Sequence, residues 1–288
     1  MPSRLLPKGC FGMSDFEFTG YDPTIENRDA IRATSTELGF TVGDYDAPDE
    51  IDFRKLIRHD DQSQMNSCGA FGNTNCGEGL WALSHGAISE ERQFSPTFTY
   101  IETQRRDGNG LFGVDRGSTV SGGLWVSTNI GYLPYKHLPY ATPYPRNAKT
   151  LITDEMRTLA SPFKIRSHTW LDSYDAIKNY FASGVGLGFA GSLWNGSFYS
   201  QTKVLESVNL RSGGGHAYCF AGYSKRKDSK GRNYIWRLNS HANDSWTEIA
   251  PSVIDQLCRH EYTSIVGVSD LSTPGPRKIS WMQSRPLG

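Results

Sequence analysis

Cysteine is scarce in this sequence, and a long hydrophobic run and a net charge are both absent. The chain of 288 residues has five cysteines, an odd and scattered set that excludes a disulfide scaffold and indicates reduced thiols in a protein made in the cytoplasm. No apolar stretch approaches the roughly 20 residues of a membrane span, and the Pro- and Gly-broken N-terminus lacks the apolar core of a signal peptide. Lys plus Arg and Asp plus Glu both number 30, so charge gives no reason to expect nucleic acid or an anionic membrane as a partner.

Apolar spacing changes along the chain from helical in the first half to strand-like in the second. A helix is predicted at 95–108, where Ser95 can cap it and Pro96 occupies its first turn, and another at 172–184, ended by Gly184. Beyond that helix, short aromatic and β-compatible runs are separated by Gly, Ser and Asn. The predicted fold class is therefore α+β. Its units are an N-terminal extension that serves as an arm or a lid (1–46), a helical half (47–160), a β-rich half (161–270) and an irregular C-terminal tail (271–288).

The cysteines do not have the spacing of a metal site. Seven residues separate Cys68 from Cys76, whereas a structural zinc site needs close pairs. His216 and Cys219 form an H-x-x-C pair, but on a strand their side chains face opposite sides. We therefore predict no metal and no other cofactor. Free cysteine usually behaves as a small buried hydrophobe, an interpretation that suits Cys76, Cys219 and Cys258.

Cys68 differs from the other cysteines by its position. It follows a polar run and directly precedes a segment with helical spacing, so its sulfur is expected at a helix N-terminus. The unpaired N–H groups and the helix dipole there favour a thiolate and lower the pKa of the thiol. The early glycines of this helix each cost up to about 1 kcal/mol relative to alanine, so burial must hold it, and its small residues permit close packing.

A nucleophilic thiol needs a base and a group that orients the base. The stretch "SGGGHAYCFAGY" places His216 at the start of an apolar strand, and "YIWRLNSHANDSW" places Asn239 at the end of the next. The basic run at 224–232 is interrupted by Asp228 and contains Gly231, which is typical of a solvated hairpin tip. Two antiparallel strands joined by this hairpin are expected to bring His216 and Asn239 side by side.

These residues resemble the papain-like cysteine proteases over roughly 47 to 250. "APDEIDFRKLIRHDDQSQMNSCGAF" is similar to the start of the mature family enzymes, with Gln62 six residues before Cys68 as the family has it. The interval from Cys68 to His216 falls within the family's range of about 130–150 residues. "DRGSTVSGGLW" resembles the stretch whose paired glycines hold the substrate backbone.

The resemblance implies a two-domain fold, with a helical left domain and a β-barrel-like right domain on either side of a cleft. It also implies hydrolysis of a protein or peptide substrate, with Cys68 as nucleophile and His216 as base and later acid. Asn239 would then orient His216, and Gln62 with the Cys68 N–H would form the oxyanion hole. The resemblance also assigns substrate binding to Gly122, Gly123 and Trp246.

The chain departs from the family pattern at residues beside the predicted site. Gly69 and His241 stand where the family has tryptophan, and His241 is expected to hold the base less firmly. Two alternatives therefore stay open. One is a structural papain-fold component of an assembly such as a virion, with residues 1–46 and 271–288 as contact arms. The other is a thiol amidase that acts on cell-wall peptides.

Overall fold

The structure is a computed structural model and describes most of the chain. The described residues are 20–35, 47–85, 94–108, 110–184, 186–194, 203–210, 214–241 and 244–272. Most of the predicted N-terminal extension and the tail after residue 272 lie outside them, so the predicted contact arms are described only in part. No helix among these residues is long and apolar enough to cross a membrane.

One sheet runs through the second half of the chain. Its strands are β1 (Ile51–Asp52), β2 (Ile165–Trp170), β3 (Gly186–Trp194), β4 (Val204–Leu205), β5 (Gly214–Lys227), β6 (Asn233–His241), β7 (Asp244–Ile249) and β8 (Ser264–Leu271). The order across the sheet is β2-β8-β3-β5-β6-β7-β4, with β1 paired to β5 off this path. The β4–β7 pair is parallel and the others are antiparallel, as expected where hairpins join neighbouring strands.

Most of the described helices lie before residue 161, and two lie within the β-rich half. The helices are α1 (Arg28–Ala33), α2 (Cys68–His85), α3 (Pro96–Asp107), α4 (Val120–Asn129), α5 (Ala148–Leu151), α6 (Asp154–Ala160), α7 (Tyr174–Ala182) and α8 (Pro251–Arg259). The predicted caps are present, because Ser95 accepts a hydrogen bond from the Phe98 N–H and Ser173 accepts one from Ala176. Gly108, with φ of 65°, ends α3. The α+β prediction is confirmed.

Helix α2 lies in the core between the other helices and the sheet. Fourteen of its eighteen residues are buried, so it has no polar face and burial alone holds it in place. Its glycines permit the close approach that the sequence predicts. A Cβ on Gly77 would lie 2.7 Å from the Tyr132 ring, and one on Gly79 would lie 2.8 Å from Leu187. This packing fixes the N-terminus of α2 against β5 and β3, which positions Cys68.

Candidate active site

Cys68 is the first residue of α2 and is fully buried. The N–H of Ala217, on β5, lies 3.2 Å from its Sγ and donates to it. Ala217 follows His216 directly, so this contact brings the predicted nucleophile and the predicted base to the same point of the α2–β5 interface. Helix α2 and strand β5 pack against each other, and this packing holds Cys68 close to His216.

The hairpin of β5 and β6 joins His216 to Asn239. The tip closes where the Asp228 N–H donates to Arg232 O, so the basic run is the turn that the sequence predicts. His216 Nε2 and Asn239 Oδ1 are 2.6 Å apart, and both residues are fully buried. This bond fixes the orientation of the imidazole ring relative to β6.

Gln62 is buried against the end of β6. Its backbone N–H donates to Ser240 O over 2.7 Å, and the Ser240 hydroxyl donates to its Oε1. The carboxamide Nε2 donates one hydrogen to Met65 O over 2.7 Å, and the hydroxyl of Tyr140 donates to the Gln62 carbonyl. Consecutive residues of β6 therefore hold the predicted base, through Asn239, and the predicted oxyanion donor, through Ser240.

The loop before Cys68 is tied to the segment before α4. Asp115 accepts hydrogen bonds from the Asn66 N–H over 2.9 Å and from the Tyr100 hydroxyl over 2.8 Å. The same hydroxyl accepts from the Gly117 N–H. Asp115 and Tyr100 thus set the distance between the Cys68 loop and the chain at 117–118.

Residues 20–22 run past Cys68, and Tyr21 forms a single parallel β-bridge with Ser118. The Ser118 N–H donates to Gly20 O, the Asp22 N–H donates to Ser118 O, and the Tyr21 N–H donates to Gly215 O, over 3.0 to 3.2 Å. Gly20 has φ of +110°, and a Cβ there would lie 2.5 Å from Asn66 O and 2.8 Å from Cys68 Sγ. A segment of the N-terminal extension therefore fills the groove beside the predicted nucleophile.

This cover changes the acidity of Cys68. Burial raises the pKa of the thiol to about 12, against which its N–H contacts, that from Ala217 foremost, act in the lowering direction. The sequence predicts a lowered pKa instead. That prediction does not hold for the buried site, because desolvation of the thiolate outweighs the N–H groups at the helix N-terminus.

Two carboxylates lie at the N-terminus of α4, and one of them, Glu26, ties the N-terminal segment to this helix. Glu26 accepts from the Val120 and Ser121 N–H groups over 2.8 and 2.9 Å. Asp107 accepts from the Thr119 N–H and hydroxyl over 2.9 and 2.7 Å. Burial raises the pKa of Glu26, and burial, with a contribution from the Glu26 charge, raises the pKa of Asp107 to about 7. The folded state therefore favours the protonated forms of Glu26 and Asp107.

The protein is expected to lose stability as the pH rises through this range. An acid whose pKa is raised by folding contributes stability that is complete below its ordinary pKa, about 3.8 for Asp107, and is lost as the pH rises through about 7. We expect the melting temperature to fall by about 5 °C between pH 5 and pH 8 in buffers of matched ionic strength. Asp107→Asn should remove most of this pH dependence of the melting temperature. Asp154→Asn, at a side chain that is 98% exposed, should leave the pH dependence unchanged. An unchanged slope in Asp107→Asn would contradict this assignment.

Gly122 and Gly123 lie inside α4 and not at the groove. The Gly122 N–H donates to Thr119 Oγ1 and the Gly123 N–H donates to Thr119 O, so both are used within the helix. A Cβ on Gly122 would overlap Asp107, which shows that this glycine serves packing between α3 and α4. The backbone that pairs with residues 20–22 belongs to Ser118 and Gly215, which the sequence analysis missed.

The remaining predicted residue, Trp246, lies on β7 opposite Leu238 and is partly buried against the main core. Its role in substrate binding stays a prediction. His241 ends β6, and its ring stacks on the ring of His216 with centroids 5.2 Å apart. Among the described residues, no group of three His, Cys, Asp or Glu side chains is placed to hold a metal ion.

No protein-family model matches the sequence, and no curated protein matches it. Solved structures do match the fold. Xylellain, a cysteine protease from Xylella fastidiosa, is 18% identical with a TM-score of 0.63, over 91% of this chain and 93% of that one. Procathepsin B S9 from Trypanosoma congolense is 14% identical with a TM-score of 0.63, over 88% and 87% of the two chains. Bromelain from Ananas comosus, in complex with the E64 inhibitor, is 15% identical with a TM-score of 0.53, over 77% and 99%. The chain therefore has the papain-like fold that these cysteine proteases share.

Proposed function

We propose that the protein is a cysteine peptidase that hydrolyses extended polypeptide chains, and that residues 20–35 hold it in a closed state. The observation that carries the proposal is the backbone of 20–22, which is hydrogen bonded to Ser118 on one side and to Gly215 on the other, beside Cys68. A groove with donors and acceptors for extended backbone suits a peptide better than a small amide. The matched structures include cysteine proteases and a procathepsin, which supports the same reaction class.

The proposed reaction begins once the covering segment leaves. Cys68 then gives its proton to His216, and the thiolate attacks the carbonyl carbon of the scissile bond. The Gln62 carboxamide and the Cys68 N–H stabilise the oxyanion of the tetrahedral intermediate. His216 donates its proton to the leaving amine, which departs and leaves an acyl group on sulfur. Water, deprotonated by His216, then releases the acid and restores the thiol.

The covering segment explains how such a site is kept inactive. Tyr21 is fully buried in the groove, where its ring packs against Gly191 and fills space that a substrate side chain would need. Glu26 anchors the segment at α4. Displacement of 20–22 would expose Cys68 to water and to substrate in a single step.

The experiment that tests the proposal is digestion of denatured casein by the full chain and by its Gly20→Val variant, whose Cβ overlaps Asn66 and Cys68. We expect new peptides from the variant, identified by mass spectrometry, and few from the parent. If neither chain releases peptides while Gly20→Val exposes Cys68 to alkylation, the site is open without hydrolysing protein, and the proposal fails.

Removing the Ser240 hydroxyl is expected to lower kcat about tenfold with little change in KM. Ser240→Ala leaves the backbone bonds to Gln62 and Asn239 in place and removes only the donor that orients the Gln62 carboxamide. Loss of an oxyanion donor costs about 10²–10³ in kcat, so a misoriented one should cost less. Steady-state hydrolysis of a fluorogenic peptide in the Gly20→Val background measures this. Ser127→Ala, at another buried serine, is the control, and an equal loss there would indicate general destabilisation.

A further inference from the structure

A second imidazole lies against the proposed base. The rings of His216 and His241 are 5.2 Å apart between centroids and 19° from parallel. His241 lies two residues beyond Asn239, at the end of β6, where the pairing with β7 is irregular. The Asn239 amide and the His241 ring both contact the His216 ring.

The backbone of His241 is held in place from two sides. Its carbonyl lies 3.2 Å from Nε2 of His59, which comes from the segment before α2. On the other side, His241 pairs with Asp244 where β6 meets β7. These contacts fix the backbone of His241, from which its ring reaches the ring of His216.

We propose that His241 is a positioning residue for His216: its ring holds the base against Asn239, and its own protonation ends activity at acidic pH. This inference rests on the proposed peptidase function. A flat ring stacked on His216 limits the access of water to the His216–Asn239 bond. The ring can also take up a proton, which a phenylalanine or tryptophan in that place could not do.

The effect of that proton follows from charge repulsion. Like charges within about 4–6 Å disfavour each other, so a proton on His241 opposes a second one on His216. The thiolate form of Cys68 needs the proton on His216, and protonation of His241 therefore returns the site to a neutral thiol. Among the described residues, the titratable groups around the pair include Tyr218, whose ring centroid lies 6.3 Å from that of His216, and Cys68 on α2. They also include His59, beside the His241 carbonyl, and Asp115, whose charge acts on Cys68.

The first test is the pH profile of kcat/KM in the full chain carrying Gly20→Val. We expect His241→Phe, which keeps a stacked ring but cannot take up a proton, to move the acid-side midpoint to lower pH by about one unit. We expect His241→Ala, which removes the ring, to lower kcat/KM at pH 7.5 by about tenfold or more, beyond any loss in His241→Phe. If His241→Phe has the parent's acid limb, the proposal is wrong.

A second readout needs no turnover and so remains valid if the protein is not a peptidase. Histidine side-chain NMR on the full chain carrying Gly20→Val follows the titration of each ring with His216 present and with His216→Phe added. We expect the His241 midpoint to rise by about one unit when His216 is replaced, because coupled sites titrate in separated steps. His260, which lies beside Tyr262 and not beside another imidazole, is the internal control and should not move. An unmoved His241 midpoint would overturn the coupling.

Discussion

Replacing Gly20 with valine is expected to uncover Cys68 and to raise its rate of alkylation by iodoacetamide at pH 7.5 by about 100-fold or more. The reason is steric and electrostatic together. The added side chain cannot fit beside Asn66 O and Cys68 Sγ, and φ of +110° at this position is unfavourable for valine. The segment should leave the groove, and the thiol then escapes the burial that raises its pKa to about 12.

Gly231→Val is the matched control for this variant. Gly231 also has a positive φ, +78°, but nothing lies within 4 Å of a Cβ there, because it is at the tip of the β5–β6 hairpin. It should introduce similar backbone strain and leave Cys68 covered. Equal alkylation rates for Gly20→Val and the parent would contradict a closed groove. Equal acceleration by Gly231→Val would indicate that strain, and not overlap with Cys68, opens the protein.

The second large effect is expected from Cys68→Ser in the Gly20→Val background. Hydrolysis of a fluorogenic peptide should fall by about 10⁴-fold or more, because serine does not form the anion that attacks in this mechanism and residues that act as a unit fail together. The substitution changes one buried atom, so the melting temperature should change little. A loss of hydrolysis that is proportional to the fraction of unfolded protein would instead indicate damage to the fold.

Cys258→Ser is the control for the loss of a thiol. Cys258 lies on α8, partly buried and packed at the edge of the main core. Its replacement should leave kcat and KM close to those of the Gly20→Val parent. Retention of hydrolysis in Cys68→Ser would assign the activity to another residue.

The hairpin and the helix ends were open to prediction from sequence because local signals determine them. The turn at Asp228–Gly231 sets the pairing of β5 with β6, and that pairing brings His216 to Asn239. Ser95 marks the start of a helix because its hydroxyl accepts an N–H bond that nothing else in the first turn can satisfy. Cys68 is the first residue of α2, as the change from a polar run to helical spacing predicts.

Long-range packing decided the features that sequence could not supply. Gly122 and Gly123 form a glycine pair that is conspicuous in the sequence, but in the fold they pack against α3 and β3. The backbone that lines the groove is instead that of Ser118. The covering segment is a similar case. Nothing local to Gly20 indicates the groove that it enters, and the burial that raises the pKa of Cys68 arises from long-range packing around the thiol. The stacking of His241 on His216 likewise requires the register of the whole hairpin.

The most direct test of the account is the pH dependence of Cys68 alkylation in the Gly20→Val chain, mapped by peptide over all five cysteines. We expect Cys68 alone to react quickly down to about pH 5, and adding His216→Ala to abolish this reactivity, because the open site holds a thiolate beside an imidazolium. A Cys68 that behaves as an ordinary thiol with a pKa of about 8.5, with or without His216, would contradict it.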